Sequence, residues 1–167
     1  MTPSNVEPLD DYEELIATLN SHGVEYIIIG AYAVGQHGYV RATDDMDIAV
    51  NPAPANAAKV AAALKAFAGI EVDPAEIKEK TMIELGRDPN SVDILTAIKG
   101  VTWEKAWSTR ITREVGEQPA PFLSRECLIE SKRAAGRLKD HLDLQGLGAE
   151  KISEQEKSKD KGHDSKL

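Results

Sequence analysis

The alternation of hydrophobic and polar positions divides this chain into helical and extended segments. Apolar residues recur at helical spacing in residues 9–21 and in the alanine-rich residues 56–68. Short β-branched runs bounded by glycine or proline instead predict strands. These runs are residues 26–29, 45–50, 82–86 and 91–98, with an edge strand at residues 119–123. The order predicts an α/β fold: a mixed β-sheet with helices packed on one face, plus C-terminal helices.

The segments define one domain followed by a tail. Residues 1–147 are enough for a single core, and residues 124–147 form its C-terminal helical piece, with Ser124 as the helix cap. In residues 148–167 lysines balance acids and few apolar side chains remain. Because such a segment buries too little surface to offset its ordering entropy, we expect a disordered charged tail.

Composition and charge narrow the classes of function. The net charge of −8 and pI near 5.0 argue against non-specific binding to a nucleic acid backbone. The single cysteine, Cys127, excludes an internal disulfide and suits a reducing cytosol. No apolar run reaches the roughly 18 residues of a membrane span, and the polar, acidic first residues do not resemble a secretory signal. We therefore expect a cytoplasmic protein that does not insert into membranes.

The predicted strand at residues 45–50 carries the pattern that suggests chemistry. Residues two apart in a strand share a face, so Asp45 and Asp47 point one way and Met46 and Ile48 the other. Two adjacent carboxylates repel unless a cation lies between them or one is protonated. A hard divalent cation, Mg²⁺ or Mn²⁺, would resolve that repulsion. The alternative is that Asp44 and Asp45 are turn residues and Asp47 is a solvated edge position.

A glycine turn upstream suggests a phosphate site. The strand at residues 26–29 ends at Gly30, and Ala31 begins a short predicted helix. A strand that turns through glycine into a helix start presents unpaired backbone N–H groups, which suit a phosphate.

A third carboxylate lies inside a later hydrophobic strand. Asp93 is flanked by Val92 and Ile94, and an unpaired buried charge there is costly. Asp93 either pairs with a basic residue or joins Asp45 and Asp47 around a metal.

The densest basic cluster lies in the C-terminal helices. It comprises Lys132, Arg133, Arg137 and Lys139. These residues form either a solvated, salt-bridged helix face or a contact for the anionic part of a substrate.

Taken in order, these segments resemble the minimal members of the DNA polymerase beta-like nucleotidyltransferase superfamily. The residues carrying the resemblance are Gly30, HGYVRATDDMDIAV from His37, VDIL around Asp93, and LIESKRAAGRLKDHLDLQGL from Leu128. The last run is similar to that of small bacterial proteins of this type, including ones encoded in toxin–antitoxin pairs. The resemblance covers most of residues 10–147. One departure is Ala31, where the family usually has glycine or serine.

The resemblance implies transfer of an NMP from an NTP, ATP included, to a hydroxyl acceptor with release of pyrophosphate. Asp45, Asp47 and Asp93 would be the catalytic metal ligands. Gly30, Ala31, Arg41, Thr43 and Lys132 would contact the nucleotide. The acidic surface favours a small molecule or a protein side chain over RNA as acceptor. The oligomeric state stays open, and a homodimer is one possibility, because small chains of this type often complete the acceptor site with a second subunit.

Two other interpretations compete with this activity. A catalytically degenerate nucleotidyltransferase fold could act as a binding or regulatory partner, with Ala31 marking the lost activity. An aspartyl-nucleophile phosphohydrolase also uses Asp-x-Asp, but it requires a hydrophobic strand running up to the first aspartate, whereas Arg41-Ala42-Thr43-Asp44 precedes it here.

Overall fold

The computed structural model describes residues 7–40, 45–86 and 91–150. Six α-helices and six strands are found in this described part of the chain. The helices are α1 (Glu7–Ser21), α2 (Gly30–Gln36), α3 (Pro54–Ala68), α4 (Trp103–Ser108), α5 (Arg125–Ala135) and α6 (Leu138–Gly146). The strands are β1 (Tyr26–Ile29), β2 (Asp45–Val50), β3 (Met82–Leu85), β4 (Ser91–Leu95), β5 (Ile111–Val115) and β6 (Gln118–Phe122). The predicted helices and strands are found, except that β4 ends at Leu95 and not at Ile98, and β5 is an addition.

All six strands form one mixed sheet in the order β3-β4-β2-β1-β6-β5. The β2–β4 and β1–β6 pairs are parallel, and the other neighbouring pairs are antiparallel. The two central strands of the sheet are β1 and β2, each with a neighbouring strand on both sides. β1 ends at the predicted site, and β2 begins there.

The prediction that residues 119–123 form an edge strand was wrong. β6 lies inside the sheet, between β1 and β5. Pro119 and Pro121 suggested an edge because proline cannot donate to a ladder. They are tolerated because β6 pairs with β1 only at Phe122, opposite Ile28, so few ladder bonds are lost.

The hydrophobic alternation of the strands places one face in the core. Met46 and Ile48 of β2 are fully buried, as the pattern predicted. α1 packs against α3, and their apolar side chains join the same core. The fully buried residues of α1 are Leu15, Ile16 and Leu19.

Local capping fixes where α5 begins and ends. The Ser124 side chain accepts a hydrogen bond from the Cys127 N–H at 3.2 Å and starts α5, as predicted. Gly136, with φ 64°, ends α5 in the left-handed conformation that glycine allows. α6 begins directly afterwards, packs on α5 and faces the sheet across a cleft.

The segment predicted as a tail begins in contact with this helix pair. Arg133 donates a hydrogen bond to the Ala149 carbonyl at 3.1 Å, and His141 lies 2.9 Å from a Glu150 carboxylate oxygen. Residues 151–167 lie outside the described residues. Among the described helices, none is both long and apolar enough to cross a membrane.

Candidate functional site

Strand register brings two of the predicted carboxylates together. β2 and β4 are parallel neighbours, and Asp47 is the register partner of Asp93. Register partners project from the same face, so both carboxylates lie side by side, each half-buried. Glu84 of β3 is the register partner of Asp93 on its other side. These three acids form what we call the acidic row, which the exposed Glu84 extends toward the sheet edge.

Gly30 borders the acidic row at its buried end. The preceding residue, Ile29, is the register partner of Asp47, and Gly30 has a φ of 73°. A Cβ added to Gly30 would overlap the Asp47 carboxylate. Two features therefore favour glycine at this position: the positive φ of the backbone and the close approach of the Asp47 carboxylate. Ala31, which follows, is buried and contributes no hydroxyl.

Asp45 lies on the same face of β2 as Asp47 but has a different neighbour. Its register partner is Ser91, and the Ser91 hydroxyl donates to Asp45 Oδ1 at 2.5 Å. The sequence did not identify Ser91 as a site residue. The Ser-Val-Asp spacing in β4 is the signal that could have found it, because it matches Asp-Met-Asp in β2.

The electrostatic environment of Asp47 is unfavourable to its charge. Burial, followed by the negative charges of Asp93 and Asp45, raises the pKa of Asp47 to about 6. Lys139 and Lys132 act in the opposite direction and only partly compensate. Near neutral pH the ionised form of Asp47 is therefore destabilised, and a nearby cation would stabilise it.

A cleft of about 570 Å³ separates the acidic row from the C-terminal helices. Asp47 and Asp93 lie on the sheet side, and Lys99 comes from the segment after β4. The opposite side is formed by residues of α5 and α6 and by Arg137, which precedes α6. We use the name basic wall for the cationic residues lining this cleft: Lys99, Lys132, Arg137 and Lys139.

Within the basic wall, Lys132 is held by two buried carboxylates. Its Nζ lies 2.9 Å from Asp143 Oδ2 and 3.4 Å from Asp140 Oδ1, and all three side chains are at least nine-tenths buried. Arg137 Nε adds a 2.7 Å pair to Asp140 Oδ2. Burial raises the pKa of Asp140, but the hydrogen bonds from Arg137 and the charge of Lys132 outweigh it, and the net pKa is lowered. This part of the basic cluster is therefore salt-bridged, while still lining the cleft.

The other two members of the basic wall are more accessible. Lys99 and Lys139 are exposed, and neither is ion-paired with another residue of the described chain. Arg133 does not line this cleft, because its side chain is directed to the Ala149 carbonyl. Of the predicted basic cluster, Lys132, Arg137 and Lys139 thus face the site.

The predicted site residues that the structure describes fall in one region: Asp45, Asp47, Asp93, Gly30, Ala31 and Lys132. Arg41 and Thr43 lie outside the described residues. Sequence reasoning missed Asp140, Asp143, Lys99 and Ser91. The two α6 aspartates are three residues apart and bracket a helical turn, but nothing in the sequence says that such a face is buried.

The donor chemistry of the site fits a hard divalent cation. Carboxylate oxygens are the ligands that Mg²⁺ and Mn²⁺ prefer, and the raised pKa of Asp47 reports repulsion that a cation would remove. In the arrangement seen across the described residues, no three acidic, histidine or cysteine side chains already enclose an ion position. Asp45 Oδ1 accepts a hydrogen bond from the Ser91 hydroxyl.

Three solved structures that are similar to this fold are described as nucleotidyltransferases, nucleotidyltransferase-like proteins or an antibiotic-resistance factor. The chain matches an antigenic nucleotidyltransferase-like protein from Paracoccidioides brasiliensis with a TM-score of 0.53 and 15% identity, over 86% of this chain and 75% of that one. A candidate nucleotidyltransferase from Thermotoga maritima matches with a TM-score of 0.57 and 16% identity, over 87% and 93%. The antibiotic-resistance factor ANT(2'')-Ia matches with a TM-score of 0.53 and 16% identity, over 94% and 93%.

These matches establish that the chain has the nucleotidyltransferase-like fold that its sequence predicted. At 15% to 16% identity the similarity extends to the fold alone. No family's sequence profile matches the chain, and no curated protein is similar to it in sequence.

Proposed function

We propose that this protein is a metal-dependent nucleotidyltransferase that moves an NMP from an NTP to a hydroxyl acceptor. The observation that carries the proposal is the register pairing of Asp47 with Asp93 beneath the basic wall. Paired carboxylates suit divalent metal ions, and facing cations suit a polyphosphate. A protein that only scaffolded a partner would have no need to hold both sets of charges across one cleft.

Asp45, Asp47 and Asp93 would hold Mg²⁺ or Mn²⁺. When bound, the metal neutralises charge on the triphosphate and lowers the pKa of the acceptor hydroxyl. The acceptor oxygen attacks the α-phosphorus in line, the bond from that phosphorus to the bridging oxygen breaks, and pyrophosphate leaves. Asp93 takes the proton of the acceptor hydroxyl, and its position at the cleft suits that role.

The remaining residues bind and orient the nucleotide. Lys99 and Lys139 contact the outer phosphates as accessible charges, and Lys132 provides a cation whose position Asp140 and Asp143 fix. Gly30 lines the cleft, and its backbone and that of Ala31 would contact a phosphate, as the resemblance implies. Arg41 and Thr43 complete this set by resemblance to the family.

The acceptor is a hydroxyl of a small molecule or of a protein side chain. The net charge of −8 works against a polyanionic acceptor such as RNA, whose backbone would be repelled. The metal and phosphate part of the site does not depend on which of these two acceptors is used.

The test is titration calorimetry of ATP, GTP, CTP and UTP, each with and without Mg²⁺, on the wild type and Asp47→Asn. We expect at least one nucleotide to bind only with Mg²⁺, and Asp47→Asn to weaken binding at least tenfold. A useful control is Glu114→Gln, which removes an exposed acid from the distant edge strand β5. Binding of no nucleotide in any condition would reject the proposal.

The second candidate function is a degenerate fold that binds or regulates a protein partner, such as a toxin–antitoxin component. The observation favouring it is Ala31, which replaces the glycine or serine usual at this turn and is buried. This candidate predicts no magnesium-dependent nucleotide binding, so the same titration separates the two.

A further inference from the structure

The hydroxyl of Ser91 occupies a defined place beside the predicted metal ligands. Ser91 is the first residue of β4, two residues before Asp93, and the register partner of Asp45. The residue is 8% exposed, and its Oγ donates to Asp45 Oδ1 at 2.5 Å. A hydrogen bond this short between a hydroxyl and a carboxylate is of the charge-assisted kind, which is stronger than a neutral one.

Ser91 is itself held in place from the N-terminal helix. The hydroxyl of Tyr12, a residue that is 2% exposed, donates to the Ser91 carbonyl at 3.3 Å. The Tyr12 ring packs edge-on against Tyr32 of α2, with ring centroids 5.5 Å apart. A chain of contacts therefore runs from α1 through the Ser91 backbone to the Asp45 carboxylate.

We propose that Ser91 is a positioning residue that orients Asp45 for the divalent metal. This inference rests on the proposed function, because it assumes that Asp45 is a metal ligand. A carboxylate on a strand can rotate about two bonds, and a bond from Ser91 to Oδ1 selects one orientation. Hydrogen bonds of this kind to metal-binding carboxylates preserve affinity because the ligand does not have to be ordered when the ion arrives.

The same hydrogen bond has a purely structural explanation, in which it only satisfies a half-buried carboxylate. The two explanations differ in what removal of the hydroxyl changes. A structural bond affects the free energy of unfolding and leaves metal affinity alone. A positioning bond affects metal affinity even in a protein that remains fully folded.

The experiment is calorimetric titration of Mn²⁺ into the full-length wild type, Ser91→Ala, Ser91→Thr and the control Ser108→Ala. Ser108 is an exposed serine whose hydroxyl donates to the Lys105 carbonyl. We expect Ser91→Ala to bind Mn²⁺ about tenfold more weakly. Ser91→Thr, which keeps the hydroxyl, should stay within about threefold of the wild type, as should Ser108→Ala.

Thermal melts without metal identify any variant that fails to fold. If Ser91→Ala is unfolded, Ser91→Cys replaces it, since a thiol is similar in shape but a weak donor, and the same tenfold loss is expected. Wild-type Mn²⁺ affinity in the folded variant lacking the hydroxyl would overturn the inference and leave the proposed function intact. An equal loss in Ser91→Thr would also overturn it. Failure of the wild type to bind Mn²⁺ would reject the proposed function and the inference together.

Discussion

At the scale of single residues, Asp47 and Gly30 define the site together. Asp47 is half-buried near Asp93 and Asp45, and Gly30 is the residue that leaves space for its carboxylate. Both roles follow from neighbours on adjacent strands and not from neighbours in sequence. Each role therefore predicts a measurable effect that a solvated strand position would not show.

Replacement of Gly30 by alanine tests the close approach of Asp47. Alanine at φ 73° costs about 1–2 kcal/mol in strain, and its Cβ would also displace the Asp47 carboxylate. We expect Gly30→Ala to lose stability in denaturant titration and to weaken Mg²⁺·ATP binding at least tenfold. The matched control is Gly69→Ala, which has φ 69° but no atom within 4 Å of the added Cβ, and should lose stability only. Equal binding losses in both variants would contradict this account.

The raised pKa of Asp47 predicts how stability depends on pH. The pKa of Asp47 is about 6 in the folded protein, whereas the reference value is 3.8. Between these two pH values folding takes up a proton, so the free energy of unfolding falls as the pH rises from 3.8 to about 6. In metal-free buffer near pH 7.5, we expect Asp47→Asn to be more stable than the wild type by roughly 1–2 kcal/mol, after a discount for solvent screening. The advantage should vanish near pH 4, where the wild-type carboxyl is neutral. Denaturant titrations at both pH values measure it, and a destabilised Asp47→Asn at pH 7.5 would contradict it.

Much of the residue-level site could be predicted from sequence because strands have a fixed period. Asp45 and Asp47 share a face because side chains alternate along a strand. Asp93 could be identified because a charged residue is unusual inside a hydrophobic strand. Partners set by register could not be predicted in this way. Ser91 shares a face with Asp93 by its spacing, but its pairing with Asp45 depends on the register of β2 and β4. Glu84 likewise enters the site only through the register of β3 and β4.

At the scale of elements, the pair α5 and α6 supplies the cationic side of the cleft. Its geometry depends on the turn at Gly136 and on the ion pairs that join the two helices through Lys132. The buried pairs fix an ammonium group above the sheet, whereas the exposed lysines remain available. The two kinds of lysine should respond differently to substitution.

We predict that the main effect of Lys132→Ala is a lower free energy of unfolding. It leaves Asp140 and Asp143 buried without their shared cation, and breaking such a pair typically costs about 3–5 kcal/mol. Arg133→Ala, one residue along the same helix, removes an exposed side chain and should cost at most about 0.5 kcal/mol. Thermal or denaturant unfolding measures both. Similar stabilities for the two variants would show that the ion pairs do not join α5 to α6.

We predict that Lys139→Ala weakens nucleotide binding and leaves the free energy of unfolding unchanged. Lys139 is exposed at the cleft, so its removal should leave unfolding unchanged and weaken Mg²⁺·ATP binding by about three- to tenfold. The loss should shrink at high salt, because an exposed charge is screened. Lys59→Ala, on an exposed face of α3, serves as the control. Unchanged affinity in Lys139→Ala at low salt would remove Lys139 from the phosphate contacts.

Element prediction failed where the sequence pattern was weakest. β5 has three consecutive exposed polar residues, Thr112, Arg113 and Glu114, so it lacks the alternation by which a half-buried strand is recognised. Its place at the sheet edge explains that composition, and it also moves β6 to the interior. Strand order is a property of tertiary packing, which local periodicity does not encode.

At the scale of the whole molecule, the fold brings opposite charges to face each other across one cleft. The sheet contributes the acidic row, and the C-terminal helices contribute most of the basic wall. The sequence separates Asp47 from Lys139 by 92 positions, yet the charge of Lys139 lowers the Asp47 pKa. The central claim is that Asp47 and Asp93 act as one unit in binding metal and nucleotide.

A double-mutant cycle on Mg²⁺·ATP affinity tests that claim most directly. The four proteins are the wild type, Asp47→Asn, Asp93→Asn and the double variant, each titrated by calorimetry after its folding has been confirmed. Because residues that share one ion couple, we predict that the double variant loses less than the sum of the single losses, with a coupling of at least about 1 kcal/mol. Wild-type affinity in Asp93→Asn, or strictly additive losses, would contradict a single metal–nucleotide site.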